Sequence, residues 1–246
     1  MSAEEMRVKI FADGADLNVI SRLAVNPWIK GFTTNPTLML KAGVNDYAGF
    51  ARKALQIVPD RPISFEVFSD DFDEMEQQAL AIASWGSNVF VKVPVTNTRG
   101  DFSGQLIRRL TKANVQVNIT AVLTAEQVAC VADCLVSDTA SLVSVFAGRI
   151  ADTGRDPLPI IVRSIELLQS FPRSELIWAS PRELLNVVQA DQVGCHIITA
   201  TPDILAKLSL IGKDLTEYSL DTVKMFRQDA VAAGYRIDTK RRAASA

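Results

Sequence analysis

The sequence is poor in the residues on which metal and thiol chemistry depend. It has one histidine, His196, and three cysteines, Cys130, Cys134 and Cys195. One histidine cannot supply a zinc site of the three-histidine type, and an odd, sparse set of cysteines is not a disulfide framework. A Ser-His-Asp hydrolase could use His196, but the chain has no G-x-S-x-G turn. We interpret His196 as a packed structural residue, expect Cys130 and Cys134 to share a buried helix face, and expect no metal and no cofactor.

Strong charge and long apolar runs are also missing. The net charge is −2 and the pI is near 5.5, which argues against a nucleic-acid partner because such partners need a basic face. No apolar run reaches the ~18 residues that span a bilayer, and the acidic start, Met-Ser-Ala-Glu-Glu-Met, is unlike a secretory signal. We therefore expect a cytoplasmic protein that acts on small molecules, with no membrane partner.

Strand-like and helix-like segments alternate along the chain. The predicted strands are 8–13, 31–35, 62–68, 89–95, 115–121, 141–147, 175–180 and 195–200. Helical patterns lie between them, among them 46–57, 71–85, 103–113, 124–135, 157–170, 181–190 and 202–211. Eight β/α units in this length predict a (β/α)8 TIM barrel. An open doubly wound sheet is the alternative, but it would more often carry a Gly-rich phosphate turn after the first strand.

Helix starts and the C-terminal end complete the predicted domain. Asp71, Ser103 and Thr124 precede helical patterns, and Pro157, Pro181 and Pro202 suit first helical turns. We predict one domain over 1–246, with a barrel core at about 8–212, an extra helix at about 214–233 and a frayed tail at 238–246. The apolar stripe of the extra helix predicts a homo-oligomer, because a subunit interface is one way to bury such a stripe.

Lys92 is the most informative residue, because it lies within an apolar, β-branched run, Val89–Val95, that is typical of a buried strand. Burying an unpaired ammonium is unfavourable, so an interior lysine tends to become a neutral amine. A neutral amine attacks carbonyl carbon and can form a Schiff base. The alternative is a lysine that reaches solvent or pairs with an acid for structural reasons.

Side chains alternate along strands, and this rule places other polar residues on the side of Lys92. The polar residues predicted to face the lumen near the strand ends are Asp13, Glu66, Asn118, Thr120, Ser144 and Ser180, with Asn35 after strand two. The same rule gives Phe68 and Trp178 the lumen side. Barrel enzymes build their sites at the C-terminal ends of the strands, so we predict a catalytic site there.

This set can cleave a bond next to a ketone. Lys92 would form an iminium ion that withdraws electrons, and Asp13 would take the proton from the departing hydroxyl. Glu66 and Thr120 would hold the water that shuttles protons while the iminium forms and that later hydrolyses it, while Asn35 and Asn118 would bind substrate hydroxyls. A barrel that binds sugar phosphates without catalysis is the alternative from another class.

Several short motifs resemble those of the transaldolase family, in particular its short single-domain subfamily that includes fructose-6-phosphate aldolase. They are Phe11–Asp16, Thr33-Thr-Asn-Pro-Thr37, Val91-Lys-Val-Pro-Val-Thr96, Val117–Thr120, Ser144–Arg149 and Ala179–Arg182. The resemblance implies a metal-free Schiff-base mechanism in which Lys92 is the nucleophile, Asp13 the acid–base group and Thr120 the residue that holds the catalytic water. It also implies rings of five or ten chains.

The resemblance assigns the substrate contacts as well. It implies that a sugar-phosphate substrate is bound by Thr34, Asn35, Asn118, Ser144, Phe146, Arg149, Ser180 and Arg182. Glu66 and Phe146 match the pair that accompanies transaldolase activity of the pentose phosphate type, whereas a Gln-Tyr pair accompanies the aldolase. The chain departs from the family pattern at Ser180-Pro-Arg-Glu-Leu184, at Val145 and Ala147, and at Asn97–Gly100. An aldolase that releases dihydroxyacetone, or a substrate with another terminal anion, therefore stays an alternative, and Arg99 is either a solvated charge or an anion contact.

Overall fold

The computed structural model describes residues 5–237, which fall into two compact units that divide between Ser209 and Leu210. The predicted tail at 238–246 lies outside the described residues, and the assignment of the whole chain to one domain stays a prediction.

The first unit contains a closed barrel of eight parallel strands. Each strand pairs with the next in the sequence, and β8 pairs with β1. The strands are β1 Lys9–Asp13, β2 Ile29–Thr33, β3 Ile63–Glu66, β4 Val89–Pro94, β5 Val117–Val122, β6 Ser141–Val145, β7 Ser174–Trp178 and β8 Ile197–Ala200. All eight predicted strands are present, which confirms the predicted TIM barrel.

Helices follow the strands and surround the barrel. They are α1 Leu17–Ala24, α2 Pro36–Lys41, α3 Tyr47–Ile57, α4 Phe72–Ala83, α5 Gly104–Lys112, α6 Ala125–Ala132, α7 Ala147–Ala151, α8 Leu158–Leu168, α9 Leu185–Gln192 and α10 Pro202–Leu205, followed by a 3-10 turn at Leu208–Leu210. Asp71 caps α4 by accepting from two backbone amides, and Thr124 forms a capping box with Gln127 at α6, as the sequence predicts.

Two local predictions are wrong. Helix α9 begins at Leu185, so Pro181 lies in the preceding loop and not in a first helical turn. Cys134 is buried but Cys130 is exposed; α6 ends at Ala132, so the two cysteines do not share a helix face. Ser103 precedes α5 at the N-cap position, as predicted, although its hydroxyl donates to the carbonyl of Pro94 at 2.7 Å and not to the helix.

The lumen is filled by a layer of apolar side chains, whose members are Phe11, Phe90, Leu142, Ile177, Ala179 and Ile197. Gly31 makes room for this layer, because a Cβ at Gly31 would lie 2.5 Å from the ring of Phe11. Asp13, Lys92 and Ser144 each follow a member of the layer by two residues. Because the side-chain period of a strand is two, these polar groups form the next layer towards the C-terminal ends of the strands.

Side chains alternate along strand β7 as predicted, but the opposite set of residues faces the lumen. Ile177 and Ala179 belong to the lumen layer, so Trp178, between them, faces the helices and not the lumen as predicted. Ser180 has the parity of Trp178, but its φ is 61°, a left-handed backbone conformation that is uncommon outside glycine. Phe68 lies beyond the end of β3 and is 66% exposed, so its predicted place in the lumen is also wrong.

The second unit is dominated by one helix, α11 Leu215–Ala232, which matches the predicted extra helix. Asp214 caps it by accepting from the amide of Glu217 at 2.9 Å. None of its residues is buried, and its apolar side chains Leu220, Val223 and Phe226 are more than half exposed. Within residues 5–237, no helix is both long and apolar enough to cross a membrane.

Candidate active site

Lys92 is buried and held by two groups. Its side chain is 6% exposed, its Nζ lies 3.0 Å from Oε2 of Glu66, and it donates to the main-chain carbonyl of Thr34 at 2.9 Å. Glu66 and Lys92 are register partners on β3 and β4, so both point into the lumen at the same level. The amine that the sequence argument treats as unpaired is therefore part of an ion pair, with its proton acceptor already in contact.

Asp13 lies at the same level on β1, where it lines the cavity that also contains Lys92 and Glu66. Its Oδ1 accepts from the hydroxyl of Thr33 at 2.7 Å. Burial raises the pKa of Asp13 above its usual value, although the nearby Lys92 and the bond from Thr33 act in the opposite direction. A carboxyl group with a raised pKa is better suited to take up and return a proton near neutral pH.

Asn118 is fixed at both ends of its amide. Its Nδ2 donates to Ser64 Oγ at 3.0 Å, and its Oδ1 accepts from Ser144 Oγ at 2.7 Å. Asn118 is fully buried and does not line the cavity, and neither does Thr34, whose hydroxyl donates to the carbonyl of Ser64. These two predicted contacts lie beneath the site, where Asn118 orients Ser144.

The cavity above the lumen layer has a volume of about 470 Å³. Every other predicted site residue lines it, namely Asp13, Asn35, Glu66, Lys92, Thr120, Ser144, Phe146, Arg149, Ser180 and Arg182. Asn35 uses its Oδ1 to cap α2 through the amide of Leu38, so its amide nitrogen is the part that can meet a ligand.

Thr120 presents an unsatisfied hydroxyl to this cavity. Its Oγ1 is buried and has no hydrogen-bond partner within the described part of the chain. The following residue, Ala121, has a φ of 61° at a bulge where the pairing of β5 and β6 shifts, and bulges re-aim side chains at functional sites. Since buried hydroxyls are normally satisfied, Thr120 marks a position for a water molecule or a substrate atom.

Basic side chains gather on the other side of the cavity. Arg182 is held by both oxygens of Asp152, and its Nη1 donates to Ser180 Oγ at 3.1 Å. The bonds to Arg182 lower the pKa of Asp152, which keeps this pair charged. Arg149 lies 5.9 Å above the ring of Phe146. This end of the cavity suits an anionic group, because guanidinium groups bind phosphate and carboxylate well.

Other residues line the cavity that were not predicted as site residues, among them Thr33, Lys41 and Thr199. Applying the alternation rule to β2 and β8 would have found Thr33 and Thr199, because Thr199 shares the face of Ile197. Lys41 comes from the end of α2, and no strand pattern points to it. It adds a fourth basic side chain to the lining, besides Lys92, Arg149 and Arg182.

Two residues outside the site are settled by their contacts. Arg99 pairs with Asp101 and Asp70 and does not line the cavity, so it is a surface charge and not an extra anion contact. His196 accepts from the amide of Leu176 through Nδ1 at 3.1 Å, and burial lowers the pKa of His196. Its contacts fit the predicted structural role.

Known proteins resemble the chain in both sequence and fold. A probable transaldolase from Thermoanaerobacter sp. is 32% identical over 94% of this chain and all of its own length, and one from Mesorhizobium japonicum is 34% identical over 87% and 93%. A protein from Coccidioides immitis assigned to the dihydrodipicolinate synthase family shares the fold, with a TM-score of 0.60 at 15% identity over 94% of this chain and 80% of its own. The sequence model for Transaldolase/Fructose-6-phosphate aldolase matches residues 10–239. The chain therefore belongs to the transaldolase and fructose-6-phosphate aldolase family.

Proposed function

We propose that the protein is a transaldolase that moves a three-carbon dihydroxyacetone unit from a ketose phosphate to an aldose acceptor through a Schiff base on Lys92. The observation that carries the proposal is the buried Nζ of Lys92, 3.0 Å from Glu66, in a cavity whose lining also holds Asp13 and the basic groups. A nucleophile, two carboxyl groups and an anion site are the parts that this reaction needs.

The first half of the reaction makes the iminium ion. Glu66 takes a proton from the ammonium of Lys92, and the free amine attacks the ketose carbonyl carbon. The resulting carbinolamine loses its hydroxyl group as water, with Glu66 returning the proton. Thr120, whose hydroxyl has no partner in the described range 5–237, would hold this water, and the same water would later hydrolyse the product iminium.

The second half breaks one C–C bond and makes another. Asp13 takes the proton of the hydroxyl next to the bond that breaks, the aldehyde product leaves, and the electron pair moves into the iminium to give an enamine. The acceptor aldehyde then binds, the enamine attacks its carbonyl carbon, and Asp13 returns the proton to the new hydroxyl. Electrons and protons balance over the cycle, so no redox cofactor is required.

The remaining cavity residues would bind the ends of the sugar. Asn35 and Ser144 face the cavity with groups that can bond to hydroxyls, and Arg149, Ser180 and Arg182 would bind a terminal phosphate. Glu66 and Phe146 together favour transfer over release of free dihydroxyacetone. The alternative activity, an aldolase of the fructose-6-phosphate type, would release dihydroxyacetone from the donor alone, whereas transfer needs an aldehyde acceptor.

Borohydride reduction with fructose 6-phosphate tests the proposal. We expect a covalent adduct on the peptide that contains Lys92, and no adduct in Lys92→Met. Lys9→Met is the matched control, because Lys9 pairs with Glu175 and does not line the cavity; this variant should trap as the wild type does. An adduct on another lysine, or none in the wild type, would contradict the mechanism.

We also propose a homo-oligomer, since the exposed apolar side chains of α11 are of the kind that association covers. Light scattering of the full chain would give its mass. Val223→Glu combined with Phe226→Glu should lower that mass. A wild-type protein with the mass of a monomer would contradict the proposal.

A further inference from the structure

Tyr47 binds both backbone groups of the acid that contacts Lys92. Its hydroxyl donates to the carbonyl oxygen of Glu66 at 2.7 Å and accepts from the amide of Glu66 at 2.8 Å. Tyr47 is the first residue of α3, outside the barrel strands, and it does not line the cavity. It therefore contacts the site through the backbone of Glu66 on β3.

The backbone of Glu66 needs such a partner because β2 and β3 separate at this point. Their pairing ends at Thr33 and Ser64, and the last bond between them runs from the amide of Thr34 to the carbonyl of Ser64. In a regular parallel ladder, the next bond would run from the amide of Glu66 to the carbonyl of Thr34. That carbonyl instead accepts from Nζ of Lys92 at 2.9 Å.

Hydrogen bonds from two side chains therefore take the place of the missing backbone bond between β2 and β3. Lys92 takes the carbonyl of Thr34, and the hydroxyl of Tyr47 takes the amide and the carbonyl of Glu66. A phenol hydroxyl can fill both roles because it donates once and accepts as well. The separation of β2 and β3 thus frees the carbonyl of Thr34 to bind Lys92, and the backbone groups of Glu66 at the end of β3 still have a partner.

The surroundings of Tyr47 keep its hydroxyl protonated and in place. Burial raises the pKa of Tyr47 above its usual value, so the hydroxyl keeps its proton at neutral pH. Its ring packs against Phe68 and Trp85, with centroids 5.6 and 5.9 Å away. These contacts hold the ring without help from the hydroxyl, so removing the oxygen leaves the packing intact.

We propose that Tyr47 is a positioning residue for the Schiff-base step. Its hydroxyl supplies the hydrogen-bond partner that β2 would otherwise give the backbone of Glu66, and so holds the Glu66 carboxylate against Lys92. The inference rests on the function proposed above. When the hydroxyl is removed, two backbone groups lose their partner, and the end of β3 can shift to find others. The Glu66 carboxylate then leaves the geometry in which it exchanges a proton with Lys92.

Tyr47→Phe tests this, with the rate of borohydride-trapped adduct and the steady-state constants measured from pH 6 to pH 9. We expect kcat and the trapping rate to fall about tenfold or more, since small displacements of catalytic groups are costly, with KM for the phosphorylated donor changed less than about twofold. The pH profile of trapping should also shift. The matched control is Thr139→Val, which removes a buried hydroxyl that donates to a backbone carbonyl at 2.8 Å away from the cavity; it should cost stability and leave the profile unchanged.

A double-mutant cycle separates the route through Glu66 from any other. In a Glu66→Gln background, adding Tyr47→Phe should slow trapping no further, because the group it positions is already gone. An unchanged profile and kcat in Tyr47→Phe, additive losses in the cycle, or a Tyr47→Phe chain that fails to fold would each overturn the proposal. Absence of any adduct at Lys92 in the wild type would instead defeat the proposed function, so the two failures are distinguishable.

Discussion

The hydroxyl of Thr33 donates to Asp13 at 2.7 Å, and its oxygen lies 2.5 Å from the hydroxyl oxygen of Thr199. Because Thr33 uses its only proton on Asp13, Thr199 is the donor in the second bond. Three adjacent strands, β8, β1 and β2, thus fix one oxygen of Asp13 and leave the other for chemistry. This arrangement gives Asp13 one defined orientation before substrate binds.

Asp13→Asn should separate the two halves of the reaction. The amide oxygen can still accept from Thr33, so the site keeps its shape, but the side chain can no longer take a proton. We expect the adduct on Lys92 to form at nearly the wild-type rate, while C–C cleavage slows by ~10²–10⁴-fold, the usual contribution of an acid–base group. Trapping and aldehyde release, measured in parallel, check this, and equal losses in both would remove the role given to Asp13.

The same variant should be more stable than the wild type at high pH. Burial raises the pKa of Asp13 in the folded protein, while an unfolded aspartate has a pKa of about 3.9. The folded state therefore holds this proton more tightly, and ionisation of Asp13 lowers stability as pH rises from the unfolded value through the folded one. Urea denaturation should show a larger gain for Asp13→Asn at pH 8 than at pH 4. A gain that is the same at both pH values would contradict the raised pKa.

Thr120→Val should slow turnover without destabilising the protein. Valine has nearly the same shape, and the hydroxyl it replaces has no partner among residues 5–237, so removing it exposes no unsatisfied group. We expect an unchanged or higher melting temperature, a turnover lower by about 10²-fold, and more trapped adduct because hydrolysis of the iminium is slowed. A lower melting temperature would show that the hydroxyl has a structural bond instead.

Gly148→Ala should damage the anion-binding side of the cavity. A Cβ at Gly148 would lie 1.6 Å from the carbonyl oxygen of Ser180, so the segment that carries Ser180 and Arg182 must move. We expect a loss of about 1–3 kcal/mol of stability, as for other forced insertions, and at least a tenfold higher KM for a phosphorylated donor. Gly14→Ala is the control, because an added Cβ there meets nothing within 4 Å; similar losses in both variants would contradict this account.

The sequence predicted the site best where the residues lie within strands. Alternation on β1, β3 and β4 placed Asp13, Glu66 and Lys92 on the lumen side, and all three belong to their strands and line the cavity. The rule put Ser180 in the lumen beside Trp178, but Trp178 faces the helices. Ser180 lines the cavity where its backbone is left-handed, and sequence spacing does not reveal such a conformation.

Residues that act from another layer could not be predicted from spacing. Tyr47 is the first residue of α3 and is distant in sequence from the strand it supports. Its role can be inferred only from the structure, in which β2 and β3 separate. Asp152, which holds Arg182, follows the short helix α7. In both cases the partner is fixed by the packing of the barrel and not by local sequence.

The separation of β2 from β3 has a consequence for how this enzyme can change. In the proposed mechanism, the carboxylate that contacts the nucleophile is adjusted through an aromatic residue in the helical shell, while the proposed sugar contacts keep their identity. Variation in that shell would therefore tune the speed of covalent bond formation independently of substrate choice.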